Sequence, residues 1–107
     1  MTKKPVVRRS LAEDDIDAAF TYYLYEAGTE IAADFVAQFE KITVSISSLP
    51  TLGSPRYGHE LMLPGMRYRA MRCFPYLIFY VEKENRIELV RVLHTSREIS
   101  SLIDESE

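Results

Sequence analysis

Apolar residues recur at intervals of three and four between Ser10 and Leu49, then alternate or run together between Met66 and His94. The first pattern belongs to helices and the second to strands. Ile16, Ala19, Phe20, Tyr23, Leu24 and Ala27 mark one helix face; Ala32, Phe35, Val36, Phe39, Ile42, Ile46 and Leu49 mark another. Ser10 and Glu13 have the spacing of a capping box, and Asp14, Asp15 and Asp17 put negative charge at the positive end of the helix dipole. Gly28 predicts a left-handed stop, Thr29 a cap for the second helix, and Pro50 its end. Helices joined so tightly run antiparallel. The run from Thr43 through Val44, Ser45 and Ile46 to Ser47 has poor helix propensity, so that turn needs a sheet to pack against.

Outside the hairpin, Val6 and Val7 within 5–9 predict a strand at an edge or start position beside Pro5. The breakers Pro50, Gly53, Pro55, Gly58, Pro64 and Gly65 predict a long loop. Three strands follow over 66–74, 76–83 and 86–94, separated by Pro75 and by a tight turn at Glu84 and Asn85. Residues 76–81 are apolar on both faces, which predicts a central strand covered on one side by the helices. Arg67 and Arg69 alternate with Met66, Tyr68 and Ala70 and are expected on the outer sheet face; Arg91 interrupts an otherwise apolar strand. Thr95 and Glu98, with Ile99, Leu102 and Ile103, predict a short final helix, frayed by Asp104 and Glu105. The expected fold class is α+β: an N-terminal strand, an antiparallel helix hairpin packed on a mainly antiparallel sheet with a three-stranded C-terminal meander, and a short C-terminal helix.

Length and composition narrow the function. A chain of 107 residues, 47% hydrophobic and 27% charged, without repeats or linkers, is expected to form one domain over 1–107. The lone Cys73 excludes an internal disulfide, no leader pattern is legible, and no apolar run reaches the 18 or so residues of a membrane helix; a cytoplasmic protein is the expectation. The net charge of −3 conceals an asymmetry. From Arg56 to Arg97 there are eight basic and four acidic residues; elsewhere, five basic and twelve acidic. A chain gripping phosphate backbone over its whole surface would be basic throughout. His59 and His94 lie 35 residues apart without a cysteine pair, so no metal site is expected; no phosphate loop, nucleophile elbow or catalytic carboxylate pair suggests a cofactor or hydrolytic chemistry.

The order of elements joins three local motifs. Leu63, Pro64, Gly65, Met66 and Arg67 resemble a Leu-x-Gly-Leu-Arg strand opening; Pro75 to Tyr80 resemble a Tyr-Leu-Ile-Phe-Tyr strand; and Val90, Arg91, Val92, Leu93 and His94, followed by Arg97, Glu98 and Ile99, resemble Arg-Val-Leu-His-x-x-Arg-Asp-Ile. Together they resemble the ParE-type toxins of the RelE/ParE superfamily. The resemblance implies a bacterial type II toxin neutralised by a small ParD-like antitoxin. In the ParE branch the implied target is DNA gyrase, with DNA met only indirectly through gyrase or the antitoxin. In the RelE branch the implied action is ribosome-dependent cleavage of messenger RNA. A non-toxic co-repressor acting with its antitoxin is a third reading.

Fold does not choose between the branches, so site residues must. Cleaving RNA through its 2′-hydroxyl needs a base, an acid and cations on the phosphate. RelE-like relatives draw these from sheet Lys and Arg and a C-terminal Tyr or His. Here Tyr80 is the last tyrosine and Lys83 is the one lysine of the sheet region, so a nuclease would have to use His94, Arg67 and Arg91, with Arg69 and Glu88 beside them. A lone histidine ending a strand more often bonds to backbone than it catalyses. The primary expectation is therefore a non-enzymatic gyrase poison, with Arg67, Arg69, Arg91 and Arg97 as target contacts. Tyr22, Tyr23 and Tyr25 cannot all share one buried helix face. Tyr22 and Tyr25, with Tyr80, are the expected antitoxin contacts, since tyrosine is enriched at interface hot spots.

Overall fold

The computed structural model describes residues 3–55 and 65–96. Strand β1 (Val6–Arg8) leads into helices α1 (Ser10–Ala27) and α2 (Thr29–Ser48), a 3-10 turn at Pro50–Leu52, and strands β2 (Arg67–Ala70), β3 (Tyr76–Glu82) and β4 (Ile87–His94). The sheet order is β1-β4-β3-β2. The three C-terminal strands form the expected antiparallel meander, whereas β1 lies parallel to β4. Residues 56–64 and 97–107 lie outside the described residues, and with them His59, Arg56, Arg97 and the expected final helix.

Both helices form where the periodicity places them, but their caps differ. Arg9 is extended and precedes the first helical residue, Ser10, so no side-chain capping box forms. Strand β1 turns straight into α1, with Arg9 N–H on Leu89 O and Glu13 N–H on Arg9 O, leaving Ser10 no capping position. Gly28 alone joins the helices. At φ 95° and ψ 171° it lies outside the expected left-handed helical region, in a conformation open essentially to glycine. Its N–H closes α1 on Tyr23 O, and its carbonyl receives Ala32 N–H, so Thr29 is already helical rather than a cap. Thr43 donates its hydroxyl to Phe39 O, which accommodates the poor helix former within α2.

The helices cover one sheet face. Ala12, Ile16 and Ala19 of α1 and Phe35, Phe39, Ile42 and Ile46 of α2 pack on Tyr76, Ile78, Tyr80, Ile87, Leu89 and Val92. The alanines let α1 approach β4 closely. The opposite face is apolar too: Met66, Leu77, Phe79, Val81, Val90 and Leu93 are buried together, with Tyr68 against them. This two-sided burial is what the continuous apolar run of β3 requires.

Strand β2 is shorter than expected. The chain leaves the sheet at Met71 and returns at Tyr76, whose carbonyl receives Met71 N–H; within this turn Cys73 has φ 56°. At its outer edge β2 exchanges both backbone hydrogen bonds of Tyr68 with Ser54, closing that position of the edge. A bulge sets Val90 and Arg91 against Phe79, re-aiming Arg91 in the middle of β4.

Candidate functional site

The arginines expected to form one surface occupy two different settings. Arg67 pairs with Tyr80 and Arg69 with Ile78, so both lie on the helix-facing side of the sheet, not on the outer face. Alternation specified that the two share a face; only packing determined which. Arg67 donates from Nη1 to Gly53 O at 2.8 Å, and Arg69 from Nη1 to Ser45 Oγ at 3.0 Å. Both remain partly exposed. They form a short cationic ledge between β2, the end of α2 and the 3-10 turn.

Beneath the ledge Tyr80 is 1% exposed and donates its hydroxyl to Pro50 O at 2.7 Å. Burial raises its pKa, opposed by the Gly53 backbone and the positive charges of Arg69 and Arg67. A Cβ on Gly53 would fall onto the Tyr80 hydroxyl and within 2.9 Å of Arg67 Cβ, so any side chain at this crossing would force its neighbours to shift. Tyr80, expected as an antitoxin contact beside Tyr22 and Tyr25, is instead enclosed, ring and hydroxyl alike.

Arg91 is held elsewhere. Its Nε and Nη2 donate to the two carboxylate oxygens of Asp15 at 2.7 and 3.0 Å, and Val92 N–H reaches Asp15 Oδ2 at 2.9 Å. Strand β1 pairs with β4 only as far as Leu89, so α1 carries Asp15 past the unpaired continuation of that edge. Asp15 thus acts in tertiary structure rather than as a dipole charge. Glu88 is a second acid whose role was not legible: it bridges Arg9 and Arg86 at 2.8 and 2.6 Å. Hydrogen bonding from Arg9, then Arg86, holds its carboxyl below the usual range against the effect of desolvation.

His94 is level with Tyr76, and its ring stands edge-on to Tyr76 at 5.2 Å. Its Nδ1 accepts from Ser96 N–H at 3.2 Å. Arg67 is level with Tyr80, four residues further along β3, or about 13 Å at the rise of a strand. Arg91 is turned to Asp15. The residues a nuclease would need are therefore not gathered around one reacting atom.

On α1, Tyr22 and Tyr25 are 48% and 80% exposed. Three residues apart, they share an outward stripe. Tyr23 turns inward, its ring against Phe35 and Phe74 and within 6.3 Å of Tyr76. Among the described residues no helix is long and apolar enough to cross a membrane, and no group of three His, Cys, Asp or Glu side chains is arranged to hold a metal ion.

The family model for the ParE toxin of type II toxin-antitoxin system, parDE, matches residues 6–99. This chain belongs to the ParE toxin family. Among solved structures, the "Chromosomal ParDE TA system from P. aeruginosa" is similar with a TM-score of 0.73 and 19% identity, covering 88% of this chain and 98% of that one. No curated protein matches. The two helices on a four-stranded mixed sheet are thus a ParE-like fold. The match to the ParE family spans both arginine settings, the tyrosine stripe and His94.

Proposed function

We propose that this ParE-family chain is the toxin of a type II pair, that it poisons DNA gyrase by binding rather than by catalysis, and that a ParD-like antitoxin neutralises it in the cytoplasm. The observation that carries this reading is the ParE family match over residues 6–99. The separation of His94, Arg67 and Arg91 along the sheet supports it against the ribosome-dependent nuclease.

The cationic ledge is the target contact in this proposal. A guanidinium has five N–H donors. Arg67 and Arg69 each use one on Gly53 O or Ser45 Oγ, which orients the group and leaves other donors for carboxylates of an acidic surface. Arg97 joins them in the proposal as a residue of the C-terminal motif, and Arg91 is reassigned to the scaffold. Tyr22 and Tyr25 are the antitoxin contacts.

The deciding experiment pairs plasmid supercoiling by gyrase with mapping of transcript ends in a translating extract. Inhibited supercoiling with intact transcripts is expected. Codon-specific cleavage with unaffected gyrase would replace this reading with the nuclease.

A further inference from the structure

At the end of the sheet away from the cationic ledge, α1, α2 and the 71–75 turn enclose a concavity of about 430 Å³ lined by Tyr23, Ile31, Asp34, Gln38, Cys73 and Phe74. Ile31, Asp34 and Gln38 fall at i, i+3 and i+7, a single stripe of α2. Neither the Asp34 nor the Gln38 side chain makes a hydrogen bond or ion pair with the described residues. The aromatic walls are braced. Tyr23 and Phe74 meet edge to face at 5.1 Å, and Phe35 packs against them at 5.5 and 5.4 Å.

This lining combines aromatic rings, an aliphatic wall, an available carboxylate and an amide oxygen. Anions are disfavoured here, because the helical walls, Ser10–Ser48, carry eight acidic residues against the single base Lys41, and the 71–75 turn adds only Arg72. A purely apolar occupant would strip water from Asp34 and Gln38 and return no hydrogen bond. A guanidinium satisfies every part: its plane stacks on an aromatic ring, its fork of N–H groups pairs with a carboxylate, and its methylene stem covers Ile31. An ammonium is more strongly hydrated and matches neither the stacking nor the fork. We propose that this concavity seats an arginine side chain carried by a partner polypeptide. The inference concerns a surface separate from the ledge and does not depend on which target the chain attacks.

The test titrates the whole isotope-labelled chain with the blocked tripeptide Ac-Ala-Arg-Ala-NH₂ and with counterparts containing citrulline or lysine, following backbone amide shifts. Saturable shifts are expected at Tyr23, Ile31, Asp34, Gln38 and Phe74 for the arginine peptide. Replacing arginine by citrulline, or Asp34 by Asn, should weaken binding about fivefold, the scale of one exposed ion pair. Glu30→Gln, which removes an equal charge from an exposed position of α2 outside the lining, should leave the affinity unchanged. Equal binding of the citrulline or lysine peptide would overturn the proposal. So would equal effects of Asp34→Asn and Glu30→Gln, shifts spread over the acidic helices, or no saturable binding.

Discussion

Asp15 and Arg91, 76 positions apart in the chain, are joined by two hydrogen bonds at 2.7 and 3.0 Å, and the same carboxylate takes the backbone N–H of Val92. One side chain of α1 therefore serves where β1 has run out as a partner for β4. The Asp15 side chain is largely enclosed, at 14% exposure, while Arg91 remains 36% exposed. Asp15→Ala should destabilise the chain by about 2 kcal/mol, within the range for removing a charged hydrogen-bond partner from a part-buried site. Arg91→Ala should cost less, and the double variant less than the sum of the two. Urea unfolding of the four proteins measures this; strict additivity would show that the pair is not coupled.

Gly53 and Tyr80 make a second tight relationship. Gly53→Ala should destabilise by about 1–3 kcal/mol, because the new methyl meets the Tyr80 hydroxyl and Arg67. Tyr80→Phe should cost about 1 kcal/mol through loss of the bond to Pro50 O. It should also relieve part of the Gly53→Ala effect. Thermal melts of both single variants and the double variant test this, and a double variant as unstable as the two costs combined would refute the contact.

Titration offers independent checks on Tyr80 and Glu88. The Tyr80 phenol has its pKa raised in the folded state, so the unfolded chain releases its proton first and stability falls as pH rises above about 10. Tyr80→Phe should flatten that alkaline loss. Glu88 has a depressed pKa, so its contribution is present above the ordinary value of 4.5 and lost as pH drops toward the folded value. Glu88→Gln should make melting temperature less sensitive to acid over that interval. An unchanged acid slope would show that the two arginines do not hold the carboxylate.

Replacing Arg67 or Arg69 by Ala should weaken gyrase poisoning about tenfold while changing stability by under about 1 kcal/mol, since each is partly exposed and loses a single described hydrogen bond. Supercoiling titrations alongside unfolding curves separate the two quantities. His94→Ala should lower stability through loss of its Tyr76 contact, with poisoning retained in the folded fraction. Abolished toxicity with full stability and an intact gyrase complex would instead make the histidine catalytic.

Tyr22→Ala and Tyr25→Ala should each weaken antitoxin binding, by about tenfold or more if either is an interface anchor. Tyr80→Phe should leave that affinity unchanged, because the phenol is enclosed in the free chain. Calorimetry with the neighbouring gene product distinguishes them; a loss confined to Tyr80→Phe would reverse the assignment.

Periodicity and breakers determined the element order, since the spacing of Phe35, Phe39, Ile42 and Ile46 suits a helix and the doubly apolar run 76–81 suits an inner strand. Motif spelling carried the family, as the match over residues 6–99 bears out. Tertiary structure decided what local chemistry leaves degenerate. Arg67 and Arg69 would alternate identically on either sheet face; Asp15 is one of several acids opening α1 until β1 ends short of it; Tyr80 reads like Tyr22 and Tyr25 until Gly53 closes over its hydroxyl. Spacing along the chain specifies which side chains travel together. Which of them is buried, paired or left to a partner depends on surfaces that residues distant in sequence bring up against them.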